Sequence, residues 1–161
     1  MFIRLPLRVA VMACALAAPI LSHATEIPMQ HAQGTFEVKL AAQPAAPGTE
    51  AAAIGRQSID KRFHGDLEGS SLGEMLAVMA PATGSGAYVA MERVTASLGG
   101  KQGSFVLMHS ATMTRGAPAM TITVVPDSGA GALEGLSGSF IIHIDAKGAH
   151  SYTFDYSLPS P

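Results

Sequence analysis

Thiol chemistry has almost no place in this chain. Its one cysteine, Cys14, stands within the first 24 residues. A single cysteine excludes an intrachain disulfide, so a domain lacking it must be held together by burial alone. There is no internal repeat. After residue 24 there is no apolar run long enough to cross a membrane, which takes roughly 20 residues. Basic charge is also in deficit: after residue 24, eight Lys and Arg face twelve Asp and Glu, a net charge of −4. An acidic surface of that kind excludes nucleic acid and anionic membrane as partners of the processed chain. Two catalytic signatures are missing as well. Gly129-x-Gly131 has no Lys-Ser or Lys-Thr after it and reads as a tight turn rather than a phosphate loop, and no serine sits in a nucleophile elbow.

What is present begins with an export signal. Arg4 and Arg8 precede the apolar run Val9–Leu21, and Ser22-His23-Ala24 places small residues where a signal peptidase reads. The expected cut follows Ala24, giving a periplasmic or secreted protein. A lipoprotein cut before Cys14 is disfavoured, because Met12 is bulky and the apolar run continues past the cysteine. Residues 25–33 then read as a linker and 34–158 as one domain. Gln43–Ala53 (QPAAPGTEAAA) has no apolar period and reads as a surface loop.

Short β-rich runs alternate with Gly-centred turns. The eight expected strands are Gly34–Ala42, Ile54–His64, Asp66–Ser70 continuing through Glu74–Pro81, Gly86–Leu98, Gly103–Thr114, Met120–Val125, Ser137–Asp145 and His150–Leu158. Leu72–Met79 has good helix formers but spans only about two turns before Pro81, so strand is preferred. Two hairpin registers follow from burial pattern. A Lys147-Gly148-Ala149 loop would set Ile144, Ile142 and Phe140 against Tyr152, Phe154 and Tyr156. A Gly99–Gln102 loop would set Ala96 against Phe105, Val94 against Leu107, Glu92 against His109 and Tyr88 against Met113. In the second hairpin Glu92 and His109 are the polar exceptions on an apolar inner face.

Several of these segments together resemble a known family. Phe36-Glu37-Val38, the block Gly55–Met75 (GRQSIDKRFHGDLEGSSLGEM), Tyr88–Val94 (YVAMERV), Gly103–Leu107 (GSFVL) and Val125–Gly129 (VPDSG) are similar to the bacterial domain-of-unknown-function family 3224. The resemblance implies an all-β fold, an antiparallel eight-stranded barrel of the allene oxide cyclase-like and dirigent-like kind. Gly129–Phe140 (GAGALEGLSGSF) is similar to the Gly-rich turn of that wider superfamily. The resemblance carries over no activity and no site residue.

The residues themselves nominate a site. Glu92 and His109 are the catalytic candidates, as an acid/base pair in which each tunes the other's ionisation; a self-satisfying structural pair is the competing reading. Tyr88, Phe105, Leu107 and Met113, on the same inner face, are the candidate ligand-binding residues. Seven methionines, from Met29 to Met120, could line an adaptable apolar pocket or simply fill a core. His64-x-Asp66-x-Glu68 has ligand-type residues on one strand only, so no metal and no cofactor is expected. Three functions compete: a carrier of a small apolar molecule in the barrel interior or mouth, an isomerase or cyclase using Glu92 and His109, and a non-catalytic scaffold that forms homo-oligomers through its outer face.

Overall fold

The computed structural model describes residues 28–159. The expected signal segment therefore lies outside the described residues. Nine strands form among the described residues: β1 (Gln30–Gln43), β2 (Gly55–Gly65), β3 (Leu67–Ala80), β4 (Ser85–Leu98), β5 (Lys101–Thr114), β6 (Ala117–Val124), β7 (Ala130–Gly131), β8 (Ser137–Ile144) and β9 (His150–Ser157). Eight of them pair antiparallel in the order β4-β3-β2-β1-β9-β8-β6-β5, and β4–β5 pairing closes the ring. Closure removes the exposed sheet edges that an open sheet would have to protect. β7 is a two-residue strand that pairs outside this ring with Gly103 and Ser104 of β5.

Strand β1 starts at Gln30, four residues ahead of expectation. The segment read as linker is drawn into the sheet because Ala32 pairs with Phe154 and is buried in the core. Leu72–Met79 is strand, within an unbroken β3 that pairs with β4 along its whole length.

Both hairpins keep the expected faces, but their registers differ from expectation by two residues. Leu98 pairs with Lys101, not Gly103, so the turn is Gly99-Gly100 alone. Both glycines have positive φ, 55° and 83°, the two-residue geometry whose twist matches that of the flanking strands. In the last hairpin Ile144 pairs with His150, Ile142 with Tyr152 and Phe140 with Phe154. Here the Asp145 carboxylate accepts the Lys147 and Ala149 N–H groups, each at 2.8 Å, and the three-residue loop shifts back by one position to Ala146-Lys147-Gly148.

The interior divides across the barrel axis. At the end carrying the β2–β3 and β4–β5 turns, Phe63, Leu67, Leu98, Phe105, Phe154 and Tyr156 pack into one buried cluster. Phe154 stacks on Phe105 at 5.8 Å and on Tyr156 at 5.2 Å. The Leu67 N–H donates to the Tyr152 hydroxyl at 2.9 Å, tying β3 to the aromatic strand β9. Leu133 and Leu136, from the segment around β7, are buried in the same cluster and plug this end. At the opposite end the inward positions stay open: Leu40 is 54% exposed, Met79 63% and Ile144 64%. The seam between β6 and β8 is thin, a single bridge at Thr123 and Ser139 near the packed end.

Candidate functional site

Inward positions on β2 read Ile59, Lys61, Phe63, so a lysine occupies an apolar phase. On β3 the inward residue paired with Lys61 is Ser71. Two positions along β3 comes Gly73, paired with Glu92 of β4. A Cβ at residue 73 would sit 2.9 Å from Glu92 Cα, so the glycine leaves the space over which the Glu92 side chain crosses β3. That crossing lets a carboxylate on β4 reach an ammonium on β2, two strands away. Lys61 Nζ donates to Glu92 Oε2 at 2.6 Å and the Ser71 hydroxyl donates to Glu92 Oε1. His109 of β5 pairs with Ala90, not with Glu92. It reaches the carboxylate diagonally: Nε2 lies 3.0 Å from Oε2, an ion-pair distance at an angle too bent for a directed hydrogen bond.

All four residues are buried, with Glu92 at 0%, His109 at 3% and Lys61 at 5% exposed. Burial pushes the Glu92 carboxyl pKa upward, but His109, Lys61 and Ser71 outweigh it and hold the group at about 2. Glu92 is therefore a carboxylate at neutral pH. The Lys61 ammonium also stands 5.0 Å from the Phe36 ring centre and 5.8 Å from that of Phe63, favourable positions for a cation against aromatic faces.

Above this cluster the barrel is hollow. A cavity of about 260 Å³ is lined by Lys61, His109 and Tyr88 together with apolar groups including Phe36, Met75 and Ile142. A second, about 320 Å³, continues to the mouth past Met79 and Met113, sharing Met75, Tyr88 and Met120 with the first. The Tyr88 hydroxyl donates to Met120 Sδ at 3.0 Å, and burial, then the Glu92 charge, pushes its pKa upward. His150 also borders the inner cavity, with its ring 5.0 Å from Phe36.

The structure thus brings Glu92 and His109 together, but assigns them different positions. His109 lines the cavity; Glu92 is sealed beneath it, where it can orient Lys61 and His109 without touching a ligand. Tyr88 and Met113 line the hollow half. Phe105 and Leu107 do not: both are fully buried in the packed cluster. They share the inward phase of Met113 but sit farther down β5, where the plug and aromatic ladder leave no space. Lys61 and Ser71 were missed, although a lysine alternating with Ile59 and Phe63 carries the same signal that marked Glu92. His64, Asp66 and Glu68 do not converge. His64 lies on the outer face, 3.3 Å from both Glu37 and Glu68, while Asp66 accepts the Gln33 N–H at 2.9 Å.

These features define a closed, antiparallel eight-stranded barrel with one packed half, one hollow half and a buried Lys–Glu–His cluster between them. The chain belongs to the family described as "Protein of unknown function (DUF3224)", which matches residues 32–156. A solved structure of a protein of unknown function from that family, from Shewanella oneidensis MR-1, is 43% identical and superposes with a TM-score of 0.75. The alignment covers 83% of this chain and all of the other. A search of curated proteins finds no match.

Proposed function

We propose that this protein is exported and binds a small, mainly apolar molecule in the hollow half of the barrel. One observation carries the reading: the inward residues Met75, Tyr88 and Met120 border two adjoining cavities, the outer one also lined by Met113, where a filled core would leave none. Eight strands enclose room for packed side chains or for one small ligand, and here the halves divide between the two. Methionine side chains adapt to ligand shape, and apolar walls with a few fixed polar groups are the usual form of a small-molecule site. The thin β6–β8 seam lies beside this space, with Met120 on one flank and Ile142 on the other. Native mass spectrometry of the protein purified from its own periplasm or medium tests the reading. A co-purifying small molecule, lost on widening Met75 and Tyr88 to alanine, is expected. A ligand-free protein that also fails to bind a neutral fluorescent naphthylamine would overturn it. Intact mass tests export, with Thr25 expected as the first residue.

A second reading is an isomerase or cyclase of the allene oxide cyclase-like kind, in which His109 acts on the ligand and Glu92 positions it. The shared carboxylate oxygen between His109 and Lys61 favours it. Turnover retained in Glu92→Gln would count against it. An outward stripe of Leu76, Val89, Met91 and Met108, exposed and cross-paired on β3–β5, supports a homo-oligomer of this chain. Light scattering of wild type and Met91→Lys reads that directly, with a drop in mass expected in the variant.

A further inference from the structure

The charge arrangement beneath the cavity narrows the kind of molecule it takes. Lys61 Nζ has three hydrogens to donate. Glu92 accepts one, and among the described residues no other acceptor bonds the ammonium. Its remaining surroundings are the faces of Phe36 and Phe63 and the cavity that it helps to line. An ammonium with unused donors, at the base of an apolar space, calls for an acceptor from the ligand.

The acceptor's charge follows from the cluster. Lys61 and Glu92 sum to zero, and the carboxylate is sealed with no exposure to water. A ligand carboxylate would bring a second negative charge beside Glu92 with only one lysine to share, and balancing it would require a proton on His109 or His150, the imidazoles that border the cavity. A ligand amine would face the Lys61 ammonium. Either leaves an uncompensated charge inside the barrel, which is costly in a low-dielectric interior. A neutral oxygen adds a hydrogen bond and no charge. The apolar part of the cavity wall, Val38, Ile59, Met75 and Ile142 among others, suits a hydrocarbon body.

Resting on the ligand-binding reading above, we propose that the ligand class is an apolar molecule with a neutral carbonyl oxygen, a ketone, aldehyde or ester, whose oxygen accepts a hydrogen bond from Lys61. The geometry also puts His109 beside that carbonyl, because His109 and Lys61 flank the same Glu92 oxygen and both border the cavity.

The test compares three probes of one shape by titration calorimetry at neutral pH: 2-acetylnaphthalene, 2-ethylnaphthalene and 2-naphthoate. The ketone is expected to bind at least tenfold more tightly than the hydrocarbon and than the acid. Its carbonyl infrared stretch should fall on binding. Lys61→Met alone strands a buried carboxylate and can unfold the chain, so the variant used is Lys61→Met/Glu92→Gln, which removes both charges. In it the ketone-to-hydrocarbon ratio should fall to near one and the infrared shift should vanish. Tightest binding by naphthoate, equal binding of ketone and hydrocarbon to wild type, or an undiminished ketone preference in the double variant would each overturn the carbonyl assignment while leaving the apolar cavity standing. Failure of both neutral probes to bind would overturn the cavity reading and this assignment together.

Discussion

The two halves of this barrel are made by the same eight strands and differ only in what the inward positions carry. In the packed half they carry Phe63, Phe105, Phe140, Tyr152 and Phe154, large rings that meet one another at 5.1 to 6.0 Å. In the hollow half they carry methionine, alanine, glycine, aliphatic residues such as Leu40 and Ile142, and one tyrosine, Tyr88, beside Gln57. A closed ring fixes the strand spacing, so side-chain volume alone decides whether the interior is solid. The charged cluster sits where the two meet, with the Lys61 ammonium against aromatic rings on one side and open space on the other. The stability of the fold and any capacity to bind thus reside in different parts of one sheet.

The sharpest way to break this comparison is to remove a ring from the packed half. Phe154 is fully buried and contacts Phe105, Phe140 and Tyr156. Phe154→Ala should cost about 3–5 kcal/mol, from lost transfer energy plus a cavity that a closed barrel cannot collapse to fill. Urea unfolding at constant slope reads the loss. A cost under about 1 kcal/mol would mean that the packed half does not carry the stability.

At the boundary, Glu92→Gln leaves the Lys61 ammonium buried without its counter-charge and should cost about 3–5 kcal/mol. Lys61→Met/Glu92→Gln removes both charges. It should be less damaged than the sum of the two single variants, by about 0.5–3 kcal/mol of coupling. Strict additivity would show that the pair is not an interacting unit.

Acid should reveal the same cluster in the wild type. The Glu92 pKa is held at about 2 when folded, against 4.5 as its ordinary value. The unfolded chain therefore binds the proton more readily. The stabilisation is complete above pH about 4.5 and is lost as the pH falls toward 2, amounting to about 3 kcal/mol in total. In Glu92→Gln this part of the acid dependence should be missing from a denaturation series between pH 5 and 2. An unchanged slope would assign it to other carboxylates.

Much of this arrangement was legible in the sequence, and the rest was hidden for identifiable reasons. Strand phase could be read because apolar and polar residues alternate cleanly: Val94, Glu92 and Ala90 face inward and Arg93 and Met91 outward. Phase survives a shift of two residues, so Glu92 and His109 fell on the correct face even though their register did not. Register itself was set by turn chemistry, the positive φ of Gly99 and Gly100 and the Asp145 carboxylate in the last loop. The contact between Glu92 and Lys61 was not readable from pairing rules, because it crosses a strand at a glycine. The hollow half was not readable at all from face assignment. Phe105 and Met113 share a face, and only depth along the barrel separates core from cavity wall.

The smallest expected effect on stability is also the most discriminating for function. Met79 and Met113 border the outer cavity and are 63% and 37% exposed. Met79 gives up little buried area when cut to alanine and should shift stability by no more than about 0.5–1 kcal/mol, while the more buried Met113 should cost about 1–2 kcal/mol, still below Phe154→Ala. Binding should respond differently, because a ligand filling that cavity would lose its contact with the sulfur and terminal methyl, roughly 1 kcal/mol, equivalent to about a fivefold loss of affinity for each variant. Titration of a neutral naphthalene probe into Met79→Ala, Met113→Ala and the double variant reads this directly. The two residues lie on different strands, and their effects should add. Weaker binding in both variants, with unfolding of Met79→Ala nearly unchanged and that of Met113→Ala shifted well below Phe154→Ala, would place ligand contact in the hollow half and most stability in the packed half. A stability loss as large as that of Phe154→Ala would show that the methionines are core, and the division of the barrel into two halves would not hold.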